Sequence, residues 1–283
     1  MQTDLTKCPI YYNPDKLHYQ PIFSPQELSY LEALNHHSNS EYLMQPQRNI
    51  EAFSMEFAYT SALLEGNAYT PSEALVLLQM GLTAKSEKKL GDALTIKNLH
   101  ESFQYLTNAA VNEKNNNPTT FINVLKHAHH IASTLLLDQT KHGTVRQNTI
   151  FLKSNRYIPS SIPEQLERGL ETIIETYHHI QNPFEQAVYI HQNLSYLLYF
   201  SKHNKRTARN MCAYTLMLAK KMPILFTEKN SPRYAQAVKH YCESETADYS
   251  LFKLYFIHAY EFACSRMNAH AVTQAQAMCK FYE

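Results

Sequence analysis

Tryptophan is absent from the 283 residues, and glycine occurs only five times, as Gly66, Gly81, Gly91, Gly143 and Gly169. Turns that need positive φ, or the close approach of a ligand to the backbone, normally draw on glycine, so other residues must make them here. The five cysteines, Cys8, Cys212, Cys242, Cys264 and Cys279, are scattered and never form a C-x-x-C pair. This excludes a zinc ribbon and a disulfide framework and predicts small core residues in a reducing compartment. The chain lacks any run of 18 apolar residues and any charged N-terminal segment leading into an apolar one, which predicts a soluble, cytoplasmic protein with no membrane span. A formal charge of +1 gives no footprint for a nucleic-acid binder. None of the fifteen histidines lies in an H-E-x-x-H pattern, and adjacent His129 and His130 cannot share a helix face, so no metal site is read from them.

What is present is helical periodicity. Residues 1–23, rich in Tyr and Pro, read as an arm lying on the domain. Ser24, Pro25 and Glu27 make a capping box with proline in the first turn, and Thr70, Pro71 and Glu73 repeat it. Between them Ile50, Phe53, Phe57 and Leu64 recur at helical spacing, with Gly66 as the C-terminal cap. Amphipathic segments follow at 92–111, from a cap at Thr119 or Thr120 through Leu135, from Pro163, from Asn182 and Pro183 to Leu198, and beyond 231 and 247, with a short last helix. Only 143–159 breaks the pattern: Ile150 and Leu152 alternate with polar neighbours and Ser154-Asn155 offers a turn, so a short hairpin is expected.

The stretch 198–209, LYFSKHNKRTAR, joins an apolar helix end to a second helix through a cationic turn expected at 201–205. Unpaired N–H groups at a helix start attract anions, and Arg206 and Arg209, three apart, project from one side of the first turn. A phosphate is the natural guest. Without glycine in the turn, Asn204 is the residue suited to a left-handed conformation, and the β-carbon of His203 should crowd a group lying against the backbone. His191, seven residues before Leu198 on roughly its face, reads as a satisfied core histidine in preference to a base.

This segment resembles the signature of the Fic family, H-P-F-x-D/E-G-N-G/K-R-x-x-R, whose members typically transfer AMP from ATP to a protein hydroxyl. Phe200, Asn204, Lys205, Arg206 and Arg209 match it. Leu198 stands where the catalytic histidine would be, Lys202 where the metal-binding acid would be and His203 where the first glycine would be. Upstream, Ser61, Glu65 and Gly66 in SALLEGN match the inhibitory motif S/T-x-x-x-E-G/N. In the family that glutamate pairs with the second signature arginine, here Arg209, and blocks the place of the ATP γ-phosphate. Gly143 and Arg146 match the start of the flap that docks a target protein, a segment that here includes Ile150 and Leu152. The resemblance, which covers most of 50–265, implies an all-α helical bundle with one short β-hairpin flap. It implies an arm and helix at 1–46, helices including the inhibitory one at 47–110, a core at 111–266 and a last helix at 267–283. It further implies a nucleotide or phosphate site made by Lys202, Asn204, Lys205, Arg206 and Arg209.

Moving AMP from ATP to a hydroxyl requires a base for the proton and neutralisation of the pyrophosphate charge. A positioned base contributes about 10² to 10⁴ in rate, none of which Leu198 supplies. Lys202 puts a like charge where Mg²⁺ would want an oxygen ligand, although it offers phosphate a point charge of its own. Three readings follow: a degenerate Fic protein that still binds ATP or another nucleotide; an altered transferase or de-modifying hydrolase using His203, His191 or Glu65; and an interaction module in which Glu65 and Arg209 form a permanent strut. Export as an effector, through a machine that reads a C-terminal signal, would suit the family.

Overall fold

The computed structural model describes residues 8–38, 47–81, 90–112, 116–152, 155–227 and 231–279. Ten α-helices form among them: α1 (Pro25–His37), α2 (Gln47–Leu63), α3 (Pro71–Met80), α4 (Leu90–Asn112), α5 (Pro118–Ser133), α6 (Pro163–His179), α7 (Pro183–Leu197), α8 (Asn204–Leu218), α9 (Ser231–Glu243) and α10 (Ser250–Cys279). Local chemistry sets most of their starts. Ser24 Oγ accepts from the Glu27 N–H at 3.3 Å while Glu27 accepts from the Ser24 N–H at 2.7 Å, and Thr70 and Glu73 exchange the same pair of bonds. Asn182 Oδ1 accepts from the N–H groups of Phe184 and Glu185 to open α7. At α5 the cap is Asn117, not Thr119 or Thr120: its Oδ1 accepts from the Thr120 N–H at 2.9 Å, with Pro118 at the first helical position. The last helix runs unbroken from Ser250 to Cys279, so the separate helix expected at 267–283 is, as far as it is described, a continuation of α10.

Helices α7 and α8 pack against each other at the centre, and α7 is buried on almost every side. Polar groups on such a helix must find partners. Glu185 accepts from the N–H groups of Ile22 and Phe23, at 3.0 and 3.1 Å, and from the Tyr19 hydroxyl. Asn193 donates to Tyr189 O and Tyr249 Oη and accepts from the Tyr241 hydroxyl at 2.8 Å. The arm is therefore fastened to the central helix by a buried carboxylate. Cys212, Cys242 and Cys264 are core residues as expected, whereas Cys8, on the arm, is exposed.

The expected hairpin is replaced by a different pairing. Among the described residues of 143–159 no strand pairs with a neighbour in that segment; Tyr157–Ile158 (β2) pairs in parallel with Ile10–Tyr11 (β1) of the arm. Lys153, and Ser154 of the expected turn, lie outside the described residues. An isolated hairpin is marginal in water, and here the tertiary partner wins. The Tyr157 ring stacks on Tyr196 at 4.5 Å and its hydroxyl donates to Tyr196 O at 2.9 Å. Ile150 and Leu152 pack on the core, leaving Phe151 between them 83 % exposed. Among the described residues no helix is long and apolar enough to cross a membrane.

The arm also inserts a buried cation. Lys16 is 3 % exposed, and its Nζ donates to the carbonyls of Tyr241 and Ser244 at 2.5 and 2.9 Å, at the C-terminal end of α9. It lies over the rings of Tyr196 and Tyr241. Helix end and rings favour the charge, but burial outweighs them and pulls the pKa down to about 8 from 10.5. Between those values the unfolded chain holds a proton that the folded chain has released, so this group makes stability rise with pH across that window. Lys16→Met is expected to abolish this rise, read as the difference in urea midpoint between wild type and variant from pH 8 to 10.5.

Candidate functional site

The segment between α7 and α8 runs through two non-glycine residues in left-handed conformation, Leu198 at φ 49° and His203 at φ 58°. Each costs about 1–2 kcal/mol for an L-residue, and such residues persist only where the surroundings over-determine them. The turn expected at 201–205 closes earlier than that, because Asn204 is already helical, and it is His203, not Asn204, that adopts the left-handed conformation. Asn204 clasps the loop instead: its Oδ1 accepts from the Phe200 N–H at 2.9 Å and its Nδ2 donates to Phe200 O at 2.7 Å.

Arg146 holds the loop from below. It is 2 % exposed; its N–H donates to Tyr199 O at 3.0 Å, its Nε to Leu198 O at 2.6 Å, and its remaining nitrogens to the carbonyls of Asn148 and Ser160. Arg146, which the resemblance places at the start of a flap, is a buried post under the signature. Gly143, at φ 66°, passes so close to α5 that a β-carbon would lie 2.8 Å from Lys126 O. Its N–H donates to His129 Nδ1 at 2.9 Å, and the His129 ring stacks on Phe200 with centroids 3.7 Å apart.

Across the loop, the chain leaving α2 delivers Glu65. One carboxylate oxygen accepts from Arg206 Nε at 2.5 Å and the other from Arg209 Nη2 at 2.6 Å. Arg209 is fully buried and also donates to Ser61 Oγ at 2.7 Å, to Ser61 O at 3.1 Å and to Tyr234 Oη at 3.2 Å. Burial alone would raise the Glu65 pKa, but Arg209 and Arg206 outweigh it and hold the carboxyl below its ordinary value. Gly66, at φ 81° with open space at the β-carbon position, makes the turn that follows. Arg206 keeps one nitrogen, Nη1, buried and without a hydrogen-bond partner. Lys202 and Lys205 are exposed.

The Leu198 side chain is buried in the core. His191 is wholly buried, stacked between Phe226 and Phe252 and hydrogen-bonded to Tyr234 Oη and Gln192 Oε1; burial pulls its pKa down to about 3. Sequence reasoning missed Tyr234, which links His191 to Arg209, and the pair His129 and Ser133, whose partners come from distant segments. No spacing in the sequence announces them. A cavity of about 1160 Å³ between α2, α3 and α10 is lined by Met55, Leu63, Leu75 and Phe262 among others and by none of the signature residues.

Residues 121–216 match the Fic/DOC family model. The fold of the chain is similar to that of Fic-1 (residues 134–508) from C. elegans, with 17 % identity, a TM-score of 0.68 and coverage of 86 % of this chain and 71 % of that one. It is also similar to a Fic domain-containing signalling protein from Bacteroides thetaiotaomicron (20 % identity, TM-score 0.66, 89 % and 98 % coverage) and to a Fic family protein from Desulfovibrio desulfuricans (15 %, 0.70, 89 % and 78 %). At these identities the likeness is one of fold. A comparison with curated protein sequences found no match.

The family's metal does not fit these residues. Lys202, at the position that the resemblance assigns to a metal-binding acid, is exposed and offers a divalent ion an ammonium in place of an oxygen ligand. The loop itself is testable through its clasp. Asn204→Ala strips partners from the backbone N–H and C=O of buried Phe200 and is expected to cost about 1–3 kcal/mol in denaturant unfolding, with faster hydrogen exchange at the Phe200 amide.

Proposed function

We propose that this Fic-fold protein binds a phosphorylated ligand, a nucleotide such as ATP, through Lys202, Lys205, Arg206 and Arg209, with Glu65 as the gate and without ordinary AMP transfer. The observation that carries this is the bridging carboxylate. A single anion spans Arg206 and Arg209 while Arg206 Nη1 stays buried and unpartnered, so the pair of guanidiniums forms an anion receptor occupied from within. Guanidinium forks suit phosphate as well as carboxylate. Asn204 supports the site by fixing the loop. Loss of AMP transfer follows from Leu198, a core-buried apolar side chain at the position where the resemblance implies a base, and from Lys202, which repels a divalent ion.

A catalytic reading through Glu65 or His191 is weaker on physical grounds. A carboxylate held below its ordinary pKa by two arginines is a poor base, and His191 is enclosed by aromatic rings. For a target protein the segment around Ile150 and Leu152 offers exposed Phe151 as the contact.

The test is titration calorimetry with ATP, with and without Mg²⁺, on wild type, Glu65→Ala and Glu65→Ala/Arg206→Ala. Glu65→Ala should bind at least about tenfold tighter than wild type, ~1.4 kcal/mol, with no gain from Mg²⁺, and the double variant should lose the gain. The same Glu65→Ala change should lower unfolding stability by about 3 kcal/mol, the low end for leaving a buried charge unpaired, because the Glu65 side chain is 25 % exposed and Ser61 and Tyr234 still serve Arg209. Failure of every variant to bind would falsify the receptor reading and leave Glu65 as a strut.

A further inference from the structure

The groups around His129, Ser133 and His203 admit one arrangement of protons. The Gly143 N–H donates to His129 Nδ1 at 2.9 Å; an amide nitrogen only donates, so Nδ1 carries no proton. On the other edge of the ring, His129 Nε2 lies 3.2 Å from the carbonyl oxygen of Lys202, which only accepts, so Nε2 carries the proton. Both constraints fix the same tautomer. Burial supports it, pulling the His129 pKa down to about 3 and so removing the doubly protonated form at neutral pH.

Ser133 Oγ stands 3.3 Å from that His129 Nε2 and 3.0 Å from His203 Nδ1. His129 Nε2 is already a donor, and the Ser133 hydroxyl has no third partner among the described hydrogen bonds. Its proton goes to His203 Nδ1, because the opposite His203 tautomer would leave the fully buried hydroxyl proton without an acceptor. Burial first, then the charge of Arg206, lowers the His203 pKa to about 4, so its ring is neutral near pH 7 and its one proton sits on Nε2. Hydrogen bonds thus tie the Gly143 amide, His129, Ser133 and His203 together, and the charged neighbours of His203 include Arg206, Glu65 and Lys202.

We infer that His203 is a fixed neutral hydrogen-bond donor of this site, presenting Nε2–H to a phosphate oxygen that carries no metal ion, and that it does not act as a base. The inference rests on the phosphate-site reading above and specifies its ligand. Lys202, His203 Nε2–H and Arg206 Nη1–H supply only donors. An oxygen bound to a divalent ion is a poorer acceptor and is crowded by the ion, so a donor-only set selects the bare polyphosphate. Ser133 is a positioning residue: it acts through His203 by holding the tautomer.

The experiment uses the full chain carrying Glu65→Ala, with histidine nitrogens labelled. Long-range proton–nitrogen correlation at pH 7 without ligand should give His203 a pyridine-type Nδ1 and a pyrrole-type Nε2, the signals being assigned by their loss in His203→Gln. Adding Ser133→Ala should let the tautomers mix and weaken Mg²⁺-free ATP binding about fivefold, the loss of one hydrogen bond. His203→Gln, which keeps an N–H donor, should bind nearer to the parent than His203→Leu does. A pyrrole-type Nδ1, or ATP affinity unchanged by both Ser133→Ala and His203→Leu, overturns this inference and leaves the phosphate site standing. A Glu65→Ala protein that binds no ATP overturns the phosphate site, and the ligand assigned here with it, whatever the tautomer.

Discussion

One carboxylate, that of Glu65, neutralises a guanidinium that has no access to water, and the joining of α2 to the centre of the molecule depends on it. Taking the Arg209 charge out of solvent costs several kcal/mol unless the geometry is good and the remaining N–H groups are used. Here Nε, Nη1 and Nη2 all donate, to Ser61, Tyr234 and Glu65. Tyr234, accepting from Arg209, is left to donate to His191, so a single chain of polar groups runs from the turn after α2 into the interior of α7. Apolar contacts bring α2 to the same place: Phe57 packs on Phe103 and Phe226. Packing supplies proximity and the charge pair supplies register, since only one setting of α2 puts Ser61 and Glu65 on Arg209 together.

The loop that carries Arg206 is held by a different logic. Leu198 and His203 are two residues without glycine's freedom in glycine's conformation, and the loop keeps its shape because its carbonyls at 198, 199, 200 and 202 each have an assigned donor. Those donors come from three segments: Arg146 from the chain after α5, Asn204 from the start of α8 and His129 from within α5. No one of them would offset the strain alone at about 1 kcal/mol per neutral hydrogen bond. Together they make the loop a rigid part of the core, which is what a receptor for a small anion needs.

How much of this could be read from the residues varies with the range of the interaction. Capping boxes at Ser24 and Thr70 act over three residues, and the sequence displays both partners side by side. The link from Glu65 to Arg209 spans half the chain and was legible only because both ends resemble motifs that occur together. That Glu65 also takes Arg206 depends on the rotamer of that arginine, which no spacing encodes. The short sheet was misread for the same reason: alternation at Ile150 and Leu152 suggests a local partner, yet a two-residue strand is decided by whichever edge lies near, and Tyr157 found the arm. Asn204 was favoured for the left-handed turn by intrinsic preference, but its amide is worth more clasping Phe200, which leaves the positive φ to His203.

Set against the motif, the differing positions separate from the matching ones by what their side chains do. Phe200, Asn204 and Arg209 match, and in this fold their side chains hold the loop or pair with α2. Leu198, Lys202 and His203 differ. Hydrogen bonds to main-chain atoms hold the loop, while the Leu198 side chain packs in the core and that of His203 bonds Ser133. Two of the three differ in a common chemical direction: Lys202 and His203 bring an ammonium and an imidazole to the turn, while Leu198 is buried in the core. A site that binds an anion without transforming it, as proposed above, calls for donors and positive charge at its mouth.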